Sequence, residues 1–186
     1  MKYLFTIIAL LSLQSCFIGA GKNSKVEANQ NNFFPKITGI DLEGNNQELP
    51  KAFVGELNIV AVAFKREQQI DVDSWITGTK KILDENNAIR FWEIPLIYEL
   101  GGLSRAWVNN GMRFGIKDAQ ARKRTITVYT NREEFFKITK MKEEEIYVLL
   151  LNNEGKILWQ TSGRADEKKL QLLNKALSSF KNNSKK

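Results

Sequence analysis

The sequence predicts one α/β domain whose alternating strands pair in parallel, set behind an amino-terminal export segment. Three observations carry that prediction. They are a continuous β-rich run at residues 58–64, apolar residues at helical spacing soon after it, and alternation of strand-like and helix-like segments from there onward. With 186 residues, 42% hydrophobic and 26% charged, the chain suits a single globular domain with appendages.

Composition excludes more than it assigns. The chain has no His, the usual general base of Ser and Cys hydrolases and the commonest transition-metal ligand, and its single Cys rules out an intramolecular disulfide or any Cys-X-X-Cys mechanism. A net charge of +7 is spread among acidic residues and reads as solubility and attraction to an anionic surface, not as a nucleic-acid interface.

The amino terminus reads as an address. Lys2 followed by an apolar run over residues 3–13 has the charge and length of a signal peptide, and is too short to span a bilayer. Leu13-Gln14-Ser15-Cys16 then resembles a bacterial lipobox, with Gln14 an unusual residue within it. That resemblance implies removal of residues 1–15 and acylation of Cys16 by palmitate-type chains on its sulfur and new amino group. Each buried methylene contributes roughly 0.8 kcal/mol, so two or three chains anchor where one does not. The alternative is an ordinary signal peptide cut after Ala20, which discards Cys16. Phe17 and the absence of Asp just after it make the outer membrane, facing the periplasm, the expected destination. Residues 16–32 then form the lipidated Cys and a Gly-, Asn-, Ser- and Lys-rich flexible tether reaching on the order of 20 Å.

Residues 33–181 form the domain, followed by a polar tail at 182–186. Residues 37–42 and 47–49, separated by Glu43-Gly44-Asn45-Asn46, read as a β-hairpin. The run 58–64 suits a central strand covered on both faces. Asp71 or Asp73 can cap the next helix, in which Val72, Trp75, Ile76, Thr79, Ile82 and Leu83 recur at helical spacing. Residues 89–97 are a second strand, 104–110 a short helix stopped by Gly111, and 125–130 a third strand. Asn131 with Glu134 has capping geometry ahead of a helix through Phe135 and Ile138. Strand 146–151, the turn Asn152-Asn153-Glu154-Gly155 and strand 156–161 follow. Asp166 opens a last helix with Leu170, Leu173, Ala176, Leu177 and Phe180 on one face. Trp75, Trp92, Trp107 and Trp159 are assigned to packing, with an aromatic binding platform as the alternative.

A hairpin around Asp41-Leu42-Glu43-Gly44, a buried strand ending at Phe64, alternating α and β, then a hairpin at Asn153-Glu154-Gly155 and a closing helix is similar to thioredoxin-like proteins of the peroxiredoxin and membrane-anchored thiol-reductase kind. The resemblance spans Phe33 to Phe180 and implies a thioredoxin-like three-layer α/β/α sandwich with an N-terminal β-hairpin. The segment from Arg124 through Trp159 to Gly163 and Arg164 also resembles the thioredoxin-like mitochondrial factor that assists assembly of the ATP synthase membrane sector. The thiol chemistry does not carry over. Where the redox families place their Cys pair this chain has Lys65-Arg66-Glu67-Gln68-Gln69, and where they place a cis-proline it has Lys142-Glu143-Glu144-Glu145.

Ligands of α/β sheets gather beyond the carboxyl ends of the parallel strands, which points to Lys65, Arg66, Glu67, Gln68 and Gln69 as a binding edge. The plain alternative is a solvated loop of mixed charge. Glu93 interrupts the apolar Ile89, Phe91, Pro95 face of its strand. If buried it needs a partner, and Arg113 and Arg124 are the candidates for an ion-pair cluster, whose simplest role is fixing strand register. The basic run 117–124, with Arg122-Lys123-Arg124, reads as a plain loop, with contact to acidic lipid or a partner protein as the alternative. No residue set suggests a catalytic centre, metal site or cofactor, and no P-loop, dinucleotide glycine motif or nucleophile elbow occurs.

The expectation is therefore a non-catalytic thioredoxin-like lipoprotein, anchored to the cell envelope through lipid, that binds another envelope protein or assists its assembly. Two alternatives stand beside it. One is a degenerate redox-family enzyme or small anionic-ligand binder acting without thiols, and the other is a structural envelope lipoprotein.

Overall fold

The computed structural model describes residues 24–27, 32–98 and 101–183. The expected signal peptide, Cys16 and most of the expected polar tail lie outside the described residues. The sheet is organised by β3 (Leu57–Ala63), in which every residue but Ala63 is buried. A strand that is apolar on both faces needs cover on both, and β3 has it. It pairs in parallel with β4 (Ile89–Tyr98), from Leu57 opposite Ile89 to Ala63 opposite Pro95, and β4 pairs in parallel with β5 (Ile126–Thr130). On the other side β6 (Tyr147–Asn152) and β7 (Ile157–Ser162) add antiparallel. The predicted hairpin, β1 (Ile37–Asp41) and β2 (Asn46–Leu49), joins through β1 to β5. The result is one seven-stranded sheet in the order β2-β1-β5-β4-β3-β6-β7.

Helices complete the two outer layers. On one face α1 (Gln69–Glu85) and α5 (Glu167–Asn183) bury Val72, Trp75, Leu173 and Leu177 against Ile59, Ala61, Phe91 and Leu150. On the other face α4 (Arg132–Thr139) brings Phe135 onto Val60, Val62, Ile94 and Val128, beside Phe34 and Phe53. The three-layer sandwich is as expected. Asn131 caps α4, its Oδ1 accepting from Glu133 and Glu134 N–H, and Asp166 Oδ1 accepts from Lys169 N–H at the start of α5. Gly155 closes the β6–β7 turn at φ 84°, where a Cβ would come within 2.5 Å of Pro50.

Several expectations require correction. Neither Asp71 nor Asp73 caps α1. A 3-10 turn at Arg66–Gln68 feeds the helix and Gln68 is its N-cap residue, while Asp71 sits in the first turn, where the helix dipole favours an acid. The helix expected at 104–110 is α2 (Gly102–Gly115), which runs through Gly111. A mid-helix Gly weakens a helix by about 1 kcal/mol without obliging it to stop. The basic run is not a plain loop, since α3 (Ala119–Arg124) forms there with Asp118 as its N-cap. Residues 24–27, expected within the tether, pack on the domain. Ser24 N–H donates to the Tyr129 carbonyl at 2.8 Å, Glu27 pairs with Lys36, and Val26 enters the core. Trp75 and Trp92 are buried and Trp159 half-buried against Trp75, but Trp107 is 81% exposed and packs no core.

Candidate functional site: a polar edge at the carboxyl ends of the parallel strands

Strand β3 ends in Phe64, whose ring is buried, and the chain turns at once into the Arg66–Gln68 turn. The turn is held by a buried amide. Gln68 Oε1 accepts the N–H groups of Phe64 at 2.7 Å and Lys65 at 3.1 Å, and its Nε2 donates to the Glu143 carbonyl at 2.8 Å. One side chain thus closes the β3–α1 loop on itself and ties it to the loop before β6. A buried amide satisfied on both ends fixes its surroundings, because leaving either end unpaired costs about 1–3 kcal/mol.

Glu143 is the hub of a charged cluster on the same edge. Its carboxylate meets Arg132 at 2.7 Å and Lys65 at 3.3 Å and accepts from the Tyr98 hydroxyl at 3.2 Å. Arg132, the first residue of α4, is buried, and its guanidinium lies 4.1 Å from the Tyr98 ring centre and 5.5 Å from those of Phe64 and Phe136. The planar guanidinium is suited to this double role of stacking and pairing. The Lys65 ammonium, hydrogen-bonded to Glu143, and the Arg132 charge beside it hold the carboxyl below its usual range against some desolvation. A carboxylate kept ionised by two cations is a poor general base near neutrality.

The five residues expected at a binding edge therefore divide. Lys65 and Gln68 are engaged inward, whereas Arg66, Glu67 and Gln69 face solvent. Next to them Ile70 and Tyr98 are 59% and 54% exposed, so the edge combines a rigid base with charged and apolar groups pointing outward. Sequence reasoning missed Arg132, Tyr98 and the role of Glu143. The available signal was positional: each stands where a strand meets the loop at this end of the sheet.

The Glu93, Arg113, Arg124 cluster does not form. Glu93 lies on the α1 face of β4 and takes a long hydrogen bond, 3.4 Å, from Gln69 Nε2, which also donates to Asp73. Burial raises its carboxyl above the usual range, the Gln69 bond opposes the rise and the Asp73 charge adds to it. Arg113 instead joins Arg122 on Glu43 in the β1–β2 turn, at 3.3 and 2.5 Å. Among the described residues no ion pair joins Arg124 to Glu93, and no cluster of three or more His, Cys, Asp or Glu is arranged to hold a metal. No described helix is long and apolar enough to cross a membrane.

Comparisons with known proteins place this geometry. Yeast Sco1 superposes with TM-score 0.54 at 11% identity, over 81% of this chain and 97% of that one. BsSco, a member of the Sco family of cytochrome c oxidase assembly proteins, gives 0.51 at 13% identity over 81% and 96%. The thioredoxin domain of a thiol-disulfide oxidoreductase from Bacteroides vulgatus gives 0.50 at 16% identity over 77% and 94%. At these identities the likeness shows the fold alone, which is thioredoxin-like. No curated protein matches the chain. The sequence model of the ATP10 protein family covers residues 20–180, the whole sandwich, and the chain accordingly belongs to the ATP10 family.

Proposed function

We propose that this chain is a membrane-anchored assembly factor that works without thiols, binding another membrane or envelope protein through the edge around Arg66, Gln69 and Ile70. The observation that carries the reading is the Gln68–Glu143 tie. It occupies the place where thiol-reductase relatives carry their reactive pair, and it makes that place a fixed polar scaffold. Membership of the ATP10 family supports an assembly role, and the resemblance to the factor assisting the ATP synthase membrane sector makes a subunit of a membrane complex the favoured partner class. Anchoring rests on the lipobox-like Leu13-Gln14-Ser15-Cys16, with outer-membrane attachment facing the periplasm as the proposed location. Fatty-acid labelling tests the anchor. Label on the wild type that is lost in Cys16→Ser supports it, and an unlabelled protein whose mature chain starts at Gly21 refutes it.

The binding edge is tested by capture. The full chain is recovered from its own membrane and its partners are identified by mass spectrometry, alongside Arg66→Glu with Ile70→Asp. Both positions are exposed and neither side chain holds the Glu143 cluster. Ile70 lies in the first turn of α1, where an acid suits the dipole, so stability should change by no more than about 0.5 kcal/mol. One stoichiometric partner, lost in the double variant at unchanged melting temperature, is expected. Equal capture by both proteins would move the interaction away from this edge.

A further inference from the structure

Helix α2 turns its largest apolar side chains outward. Leu103, Trp107 and Phe114 are 92%, 81% and 87% exposed, and at about 100° per residue they fall within an arc of about 40°. The opposite side of the helix faces the sheet and is mixed, with Val108 and Met112 half-buried beside polar groups. Its one buried residue is Arg105, whose guanidinium lies 4.7 Å from the Tyr129 ring centre, and Asn109 accepts from the Tyr129 hydroxyl at 2.7 Å. An amphipathic helix normally turns its apolar face to the core. This one is fastened to the domain by Arg105 and Asn109 together with the half-buried Val108 and Met112, and it leaves its three largest apolar side chains in a row over solvent.

Charge identifies what covers them. Between Gly101 and Lys117 there is no acidic residue, and although Arg105 is buried and Arg113 and Arg122 share Glu43, Lys117, Lys123 and Arg124 make no ion pair among the described residues and leave this end of the domain cationic. A shallow pocket beside Phe114 is lined by Asn110, Arg113, Lys117 and Arg122; two of its three cations share the single carboxylate of Glu43, so net positive charge stands beside an apolar side chain, as a lipid phosphate over its acyl chain requires. Trp on the apolar face with basic residues flanking it is the pattern of a helix lying in a membrane interface. Position agrees. Ser24 is bonded to the Tyr129 backbone, the residue whose side chain holds α2. Eight residue steps separate Ser24 from Cys16, so the two lie within about 28 Å of each other along the chain at most.

We propose that the Leu103, Trp107, Phe114 face of α2 inserts into the interface of an anionic bilayer, seating the domain on the membrane to which Cys16 tethers it. Only the choice of membrane rests on the anchored reading above; the insertion itself does not need an acyl chain. The test therefore uses the full chain carrying Cys16→Ser, mixed with phosphatidylcholine vesicles with and without phosphatidylglycerol, their acyl chains brominated to quench Trp fluorescence at the depth of the chains. The signal is the difference between this protein and the same protein with Trp107→Phe, which isolates Trp107 from the other tryptophans and from any binding by residues 3–13. Expected is quenching and a blue shift of the Trp107 signal with phosphatidylglycerol, lost in Leu103→Ser with Phe114→Ser and weakened by high salt. A Trp107 signal left unquenched while the protein floats with the vesicles overturns the proposal and assigns the face to a protein partner. A signal already blue-shifted before vesicles are added overturns it in favour of cover by residues 3–13 or a second copy. Absence of fatty-acid label on the wild type refutes the anchor without touching this result.

Discussion

Helices α1 and α2 lie over the same face of the sheet and carry similar patterns of apolar spacing, yet they use them in opposite directions. In α1 the apolar stripe points down. Val72 and Trp75 are buried against β3, β4 and α5, and the Trp75 indole N–H donates to the Gly163 carbonyl at 2.9 Å. In α2 the stripe points away, and the helix is held by Arg105 and Asn109 over Tyr129. Periodicity says which side of a helix is apolar. What meets that side is decided by the neighbouring elements, and a solvent-facing stripe of this size marks a surface that another molecule covers.

The widest separation between the two helices is in their tryptophans. Trp75→Ala removes a fully buried indole, its edge contact with Trp159 at 6.2 Å and its hydrogen bond, and should cost about 3–5 kcal/mol. Trp107→Ala removes a ring that touches little of the domain and should change stability by no more than about 0.5 kcal/mol. Chemical denaturation of the two variants side by side measures both. A loss for Trp107→Ala approaching that of Trp75→Ala would break the comparison, because it would mean that α2 packs its apolar face within the domain.

The same contrast shows what the sequence could convey. Strands β3 and β6 were legible because continuous apolar runs have one stable use, burial on both faces, and the Asn131 cap and the β6–β7 turn were legible because their chemistry is local. The binding edge was legible in position, since ligands gather at that end of parallel strands, but not in construction. Gln68 reaches the Glu143 carbonyl across 75 residues of sequence, and Arg122 reaches Glu43 across 79. No spacing rule connects such partners. Arg113 illustrates the error this causes: a buried carboxylate at Glu93 asks for a cation, yet the nearer claimant for Arg113 was the carboxylate of Glu43 in a turn distant in sequence.

A second variant sharpens the contrast at the attachment of α2. The Tyr129 hydroxyl donates to Asn109 Oδ1 at 2.7 Å, and burial pushes its pKa up to about 12 despite the opposing charge of Arg105. Tyr129→Phe removes this bond and leaves Asn109 without it, which should cost about 0.5–1.5 kcal/mol. Amide hydrogen exchange should quicken in residues 102–115 while α1 keeps its protection, since α1 is held by the core and α2 by this contact. Equal quickening in both helices would show that they open as one unit. In the wild type, ultraviolet titration should find one tyrosine ionising near pH 12, absent from the variant.

The smallest effect concerns the polar end of α1, where Glu93 sits under Gln69 and Asp73. Its carboxyl is raised above the usual value because burial disfavours the charged form and Asp73 adds repulsion, with the Gln69 bond only partly opposing them. An acid whose folded pKa exceeds its unfolded one binds its proton more tightly in the folded state. Its contribution is therefore most favourable below the unfolded value, near 4.5, and is lost as pH rises through the folded value. Glu93→Gln keeps the shape and removes the charge, so it should raise stability at neutral pH and flatten the decline that begins just above pH 4.5. Asp73→Asn should give a weaker change of the same sign, since it removes one source of the rise and leaves the burial. Denaturation midpoints from pH 4 to pH 8 measure this. A wild-type profile that matches Glu93→Gln throughout would mean that Glu93 reaches solvent and that α1 carries no unfavourable charge beneath it.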